Sequence, residues 1–361
     1  MKVASIDAGR KFFSAQDIKN AIARLKEKDY THLQLILGNN GLRFALDNMD
    51  IKANNKTYKG EDIKKYIKAG NKEYMTSKYA EDTENADRFL TETEMNDILD
   101  FAKKKGIQII PLINTPGHMD TILSVMEKAG LTQVRYDCKD PKYDQSDEPS
   151  ATTISMENKE ALEFTKTLVK KYMDYFSKKG CQFFNIGADE YGNHDSNCQG
   201  FADLQKLGLY KTFIAYINEL AKYATDRKVR PMVFNDGIYY GEKDNDGQFD
   251  PNILVAYWTS GFPYNGHRYQ PAQTTYLAKK DHEILNTNDN WYYVIGTESP
   301  WNQSWYGFNM AMRGVSKHKF AENVGNPVKT VGSMICLWCD NPGKAYKEKN
   351  FFQWVDAFAN N

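Results

Sequence analysis

Eight short apolar runs recur along this chain, most of them separated by stretches with helical spacing. They are Val3 to Asp7, His32 to Leu37, Ile107 to Ile113, Cys181 to Ile186, Met232 to Asn235, Ile253 to Trp258, Glu283 to Thr287 and Val331 to Trp338. Continuous runs of this length suit strands buried on both faces. Strands that alternate with helices in this way build a parallel sheet, and eight of them close into a barrel. Ser14 reads as the N-cap of a helix carrying Ile18, Ala21, Ile22 and Leu25, and Gly106 as the stop of a helix from about Thr93 to Lys105. Further helices are expected at Asp120 to Lys128, Lys159 to Lys179, 201 to 227, near Thr274 to Lys280, near Phe308 to Ser316, and at Phe351 to Phe358. Gly38 to about Leu90 and Gly130 to Glu157 break the pattern and read as elaborated loops. The expectation is a single (β/α)8 TIM barrel over residues 1–361, with long loops on its C-terminal face.

In such a barrel the residues just past each strand converge on one face. Here these are Asp7 and Arg10, Asn39 and Asn40, His118, Asp189 and Glu190, Asn235 and Asp236, Trp258, Tyr292, and Trp338 with Asp340. Acids, one cation, one imidazole and several aromatics suit a neutral, polyhydroxylated ligand with a ring face to stack on. The whole chain agrees. Lys+Arg and Asp+Glu are equal at 47 each, and no basic cluster is interleaved with aromatics, so a nucleic-acid partner is not expected. No run approaches the 18 apolar residues of a membrane span, so no membrane insertion is expected.

The five cysteines, at 138, 181, 198, 336 and 339, lack the spacing of a disulfide framework. Cys336 and Cys339 form a CxxC inside a strand pattern, where positions three apart face opposite sides. Phosphate-cradling glycine motifs, a GxSxG elbow and HExxH are all missing. None of the six histidines is paired at metal-ligand spacing, so neither a catalytic metal nor a cofactor is expected. No leader pattern opens the chain, which reads as a catalytic module, monomeric and part of a larger protein.

Carboxylate chemistry remains, and the stretch Phe183 to Tyr191, FFNIGADEY, presents it most directly. An apolar run ends at Gly187-Ala188 and delivers Asp189 and Glu190 to a loop. In the ordinary retaining glycosidase the two carboxyl groups lie on opposite sides of the bond being cut. Adjacent acids on one strand end fit the substrate-assisted alternative better. Glu190 would then be the general acid, while Asp189 holds a substrate N-acetyl group that attacks C1 itself and forms a cyclic oxazolinium ion.

Several motifs stand in order on the strand ends: Asp7-Ala8-Gly9-Arg10, Pro116-Gly117-His118, Gly187-Ala188-Asp189-Glu190, Trp258, and Trp338 with Asp340. Together they make the chain resemble, over nearly its whole length, the catalytic barrel of glycoside hydrolase family 20, the β-N-acetylhexosaminidases. The resemblance implies that Glu190 is acid and base and that Asp189 steadies the acetamido nucleophile. By the same resemblance Arg10 holds the outer hydroxyls of the terminal sugar and Asp340 lies near them. Trp258 walls the acetamido pocket, Trp338 lies under the ring, and His118 supports the site. Tyr292 is the expected partner of the acetamido oxygen, with Tyr293 as the alternative. Asn39, Asn40 and Asn185 stand where the family commonly has acids or histidine.

The function implied is a retaining exo-β-N-acetylglucosaminidase acting on glycans with a terminal β-linked GlcNAc, at the cell surface or outside the cell. The alternatives are a hexosaminidase for another terminal sugar such as GalNAc, which the loops carrying Trp291, Trp301 and Trp305 would decide, or a barrel that binds carbohydrate without cleaving it.

Overall fold

The computed structural model describes the chain apart from residues 79–84, 138–149, 193–199, 261–268, 296–305, 326–327, 343–345 and 361. Cys138, Cys198, Trp301 and Trp305 therefore lie outside the described residues. Eight parallel strands form the barrel: β1 Lys2–Asp7, β2 His32–Asn39, β3 Gln108–Thr115, β4 Phe183–Gly187, β5 Arg230–Phe234, β6 Leu254–Tyr257, β7 Ile284–Asn286 and β8 Thr330–Leu337. Each pairs with its neighbour in sequence, and β1 pairs with both β2 and β8, which closes the ring. Every run expected to be a strand is one, with ends moved by a residue or two.

Side chains alternate across the barrel wall. On β8 and the two residues after it, Met334, Cys336 and Trp338 point inward, while Ile335, Leu337 and Cys339 face the helices. The CxxC pair is thereby split between two layers, and both thiols are free and buried. Val3, Ile110, Leu112, Met232, Phe234, Leu254 and Leu285 fill the interior with the β8 residues. A polar ladder crosses the same space: Asn185 Nδ2 donates to Gln34 Oε1 at 2.8 Å, and Gln34 Nε2 to Ser5 Oγ at 2.8 Å. Asn185 is thus part of the barrel's interior hydrogen bonding, and each buried amide finds a partner.

Two expectations are corrected. The stretch from 38 to 90 is not simply loop. It holds Gly41–Leu42 paired to β2, a hairpin of Ile51–Ala53 with Lys56–Tyr58, and a 19-residue helix, α1, Gly60–Lys78. Ile63, Ile67, Tyr74 and Met75 are its buried stripe, but Gly70 and Asn71 interrupt the apolar spacing. Gly70 suits the close approach there, since a Cβ would lie 3.1 Å from Thr121 and require it to give way slightly. The expected helix from 201 to 227 is two, Phe201–Lys206 and Tyr210–Thr225, broken where Gly208 takes φ +69°.

Candidate functional site

β4 delivers its acids through an unusual turn. Gly187 has φ +83°, and a Cβ there would lie 1.9 Å from Asn114 Oδ1, so only glycine lets β3 and β4 approach this closely. Ala188 and Glu190 also take positive φ, 67° and 50°, values uncommon outside glycine that mark functional turns. The consequence overrides strand alternation. Neighbouring side chains leaving a strand should diverge, yet both carboxylates reach one imidazole. His118 Nε2 lies 3.6 Å from Asp189 Oδ2 and 3.1 Å from Glu190 Oε2. Asp189 is buried, and its Oδ1 accepts from Asn114 Nδ2 at 2.8 Å. Glu190 keeps 27% of its side chain in solvent, as a group meeting a substrate oxygen must.

His118 is itself clamped. Its Nδ1 lies 3.3 Å from Arg10 Nη2, and a guanidinium can only donate, so in the neutral ring Nδ1 accepts and Nε2 carries the hydrogen facing the acids. Burial lowers the affinity of this imidazole for a second proton, and Arg10 opposes it too. The hydrogen bonds to Asp189 and Glu190 outweigh both and push the pKa up to about 10. Two acids on Nε2 oppose one guanidinium at Nδ1, which sets the upward direction. Nε2 is protonated in either state. His118, Asp189 and Glu190 place ligand-type atoms within 4.8 Å of one another. A metal would need the Nε2 lone pair and an acceptor at Nδ1, and the Arg10 contact supplies the opposite, so this donor set does not fit a cation.

Beside the acids, Arg10 lines the mouth of the barrel. Nη1 pairs with Asp7 Oδ2 at 3.1 Å and Asp340 Oδ1 at 3.3 Å, Nε donates to Asn40 Oδ1 at 2.8 Å, and the guanidinium lies 5.9 Å from the Trp338 ring centre. Asn39 and Asn40 are both partnered in the mouth: Asn39 Nδ2 donates to Asp7 Oδ2 at 3.1 Å, and Asn40 Nδ2 to Asp120 Oδ2 at 2.5 Å.

Aromatic rings make the remaining wall. Trp258 stacks with Tyr293 at 6.3 Å and 16°, and Tyr293 meets Trp338 edge-on at 5.5 Å. Tyr293 belongs to the short strand Tyr293–Val294, which pairs with β8 and points the ring inward. Tyr292 is the correction. Its hydroxyl donates to Lys319 O at 3.3 Å and its ring packs on Phe358, so it faces the outer helices. One position along an extended chain reverses the face, and distance from β7 could not tell the two tyrosines apart. Trp291 also turns outward, stacked on His318 at 3.7 Å. Arg10, His118, Asp189, Glu190, Trp258, Trp338 and Asp340 are brought together. Two residues were not singled out from sequence as site residues: Asn114, which only its place ahead of Thr115-Pro116-Gly117-His118 could have suggested, and Asp236, one of the residues past β5.

Residues 3–360 match the glycosyl hydrolase family 20 catalytic domain. This chain belongs to that family. It is a glycoside hydrolase barrel of the β-N-acetylhexosaminidase kind. Among solved family 20 structures, one of the pneumococcal virulence factor StrH, studied for N-glycan recognition and hydrolysis, is 39% identical, with a TM-score of 0.88 over 99% of this chain and 83% of that one. A structure from work on the tandem catalytic modules of StrH, the pneumococcal exo-β-D-N-acetylglucosaminidase, is also 39% identical, with a TM-score of 0.89 over 99% of this chain and 82% of that one. Lacto-N-biosidase from Bifidobacterium bifidum is 26% identical over 266 residues, which is 68% of this chain and 21% of the relative. The chain thus spans about a fifth of that curated relative's length.

Proposed function

We propose that this barrel is a retaining exo-β-N-acetylglucosaminidase that removes a terminal, non-reducing β-linked GlcNAc by substrate-assisted catalysis. The observation that carries the reading is the convergence of two consecutive carboxylates, one buried and one partly in solvent, beside an aromatic wall and a buried arginine. Glu190 gives its proton to the glycosidic oxygen as the bond to C1 breaks. The acetamido carbonyl oxygen attacks C1 from the opposite side and closes an oxazolinium ring. Asp189 is held by Asn114 through Oδ1; its Oδ2 accepts the acetamido N–H and offsets the ring's positive charge. Water, deprotonated by Glu190, then attacks C1 on the face the leaving group left, so two inversions give net retention.

Trp258 and Tyr293 are the pocket for the acetamido group, with Trp338 under the sugar ring. Arg10 and Asp340 hold the outer hydroxyls; a planar donor fork backed by Asp7 suits a chain end. We read residues 1–361 as one catalytic domain that is monomeric, works without a cofactor and belongs to a longer protein. Its similarity to the pneumococcal N-glycan-cleaving enzyme supports action outside the cell. Release of p-nitrophenol from the β-GlcNAc glycoside, with none from the β-glucoside, tests the reading. Equal rates on both would remove the acetamido role, a preference for the β-GalNAc glycoside would change the sugar, and binding without release would leave a lectin-like barrel.

A further inference from the structure

β5 ends at Phe234, and the next two residues reach across the mouth to β6 and β4. Asn235 Oδ1 accepts from the Trp258 backbone N–H at 2.8 Å, and its Nδ2 donates to Thr259 Oγ1 at 2.9 Å. Asp236 is fully buried. Its Oδ2 accepts from the Glu190 backbone N–H at 2.8 Å, and its Oδ1 from the Trp258 indole Nε1–H at 3.2 Å. One carboxyl group therefore touches both the residue that carries the proton and the ring that walls the acetamido pocket. The loop holding it cannot drift: a Cβ on Gly237 would lie 2.4 Å from the Phe201 ring and 3.0 Å from Ala188 O, and Tyr210 donates to Gly237 O at 2.6 Å.

The surroundings of Asp236 are acidic. Asp189 and Glu190 face it from the β4 end, Tyr240 lies beyond it on its own loop, and His118 is spent on the two acids. Among the described residues no lysine or arginine pairs with it. A charge buried among charges of the same sign raises the cost of each further ionisation.

Building on the proposed function, we propose that Asp236 is a positioning residue. It ties the backbone of the catalytic acid to the pocket wall, and its buried charge disfavours a second negative charge on Glu190. Glu190 is thereby kept as the protonated acid that leaving-group departure requires. Burial, and after it Asp189, push the pKa of Asp236 up, so the three acids do not all ionise together; the N–H donors of Glu190 and Trp258, one on each oxygen, favour leaving the charge on Asp236.

The test is the pH profile. In folded Asp236→Asn the basic limb of kcat/KM should move to lower pH by about one unit or more, since one unit corresponds to about 1.4 kcal/mol of interaction. The rate loss should be larger for an alkyl β-GlcNAc glycoside than for an activated aryl one, because only the former depends on full proton donation. A basic limb that stays put, with losses equal on both substrates, would overturn the proposal and leave a merely structural residue. If the amide crowds the indole N–H and prevents folding, Asp236→Ser removes the charge with a smaller side chain. If neither folds, carboxyl-carbon NMR of the wild-type chain and of Glu190→Gln decides: the Asp236 pKa should fall when Glu190 loses its charge, and no change would refute the coupling. A wild-type chain inactive on β-GlcNAc glycosides but showing that NMR coupling would sink the functional reading and spare this one.

Discussion

Asp7 and Asp189 occupy the same mouth, and both are buried, yet they are partnered in opposite ways. Five donors reach Asp7: the backbone N–H groups of Gly9, Arg10 and Cys339, the Arg10 guanidinium and Asn39 Nδ2. Among the described residues Asp189 receives Asn114 Nδ2 on one oxygen and only the more distant His118 on the other. A carboxylate whose lone pairs are saturated by the fold has nothing to offer a substrate. It serves as the anchor of Arg10. A carboxylate given one firm bond is oriented and keeps an acceptor for something else. The comparison separates anchor from reagent among acids that composition treats alike.

The comparison breaks if Asp189 proves structural. Asp189→Ala should lower kcat/KM on aryl β-GlcNAc by at least on the order of 10²–10³, the scale for loss of one transition-state partner, with a melting temperature near wild type. A large fall in melting temperature with that loss would place Asp189 with Asp7. The converse prediction concerns Asp7→Ala. Leaving the buried Arg10 without its main partner should cost about 3–5 kcal/mol of stability, read by denaturant titration, whereas a chain of wild-type stability would show that Arg10 is held without it.

Tyr293→Phe should raise KM for aryl β-GlcNAc about tenfold, the value of one hydrogen bond to a polarised acceptor. Tyr292→Phe should leave the kinetics unchanged and cost about 1 kcal/mol or less of stability. Reversed results would return the pocket role to Tyr292.

The smallest effect is in pH. The His118 pKa lies above its unfolded value of about 6.5: burial pulls it down, and the hydrogen bonds to Asp189 and Glu190 together outweigh that and raise it to about 10. Its contribution to stability is therefore complete below about pH 6.5 and lost as pH rises toward 10. Melting temperature against pH should decline over that window in the wild type and more weakly in His118→Asn; parallel curves would remove the charged pairing.

Much of the architecture could be read from apolar spacing, because buried parallel strands have no polar face to blur the signal. The helix Gly60–Lys78 escaped because its seam against Thr121 is made by Gly70 and Asn71, residues that lower helical propensity while permitting close packing. The strand-end residues were also open to sequence reading, since a barrel aims every such residue at one face. Their pairings were not. Which of Tyr292 and Tyr293 faces inward turns on one residue of register, and register is set by pairing with β8.

By itself, then, the order of residues determined the barrel, the face on which polar groups collect and the adjacency of Asp189 with Glu190. Only the folded chain decided that these neighbours converge, because positive backbone angles at 187, 188 and 190 undo the divergence a strand would impose. Those angles depend on Asn114 and His118 arriving from the end of β3 and Asp236 from the end of β5, and contacts between distant segments are not encoded in any local pattern.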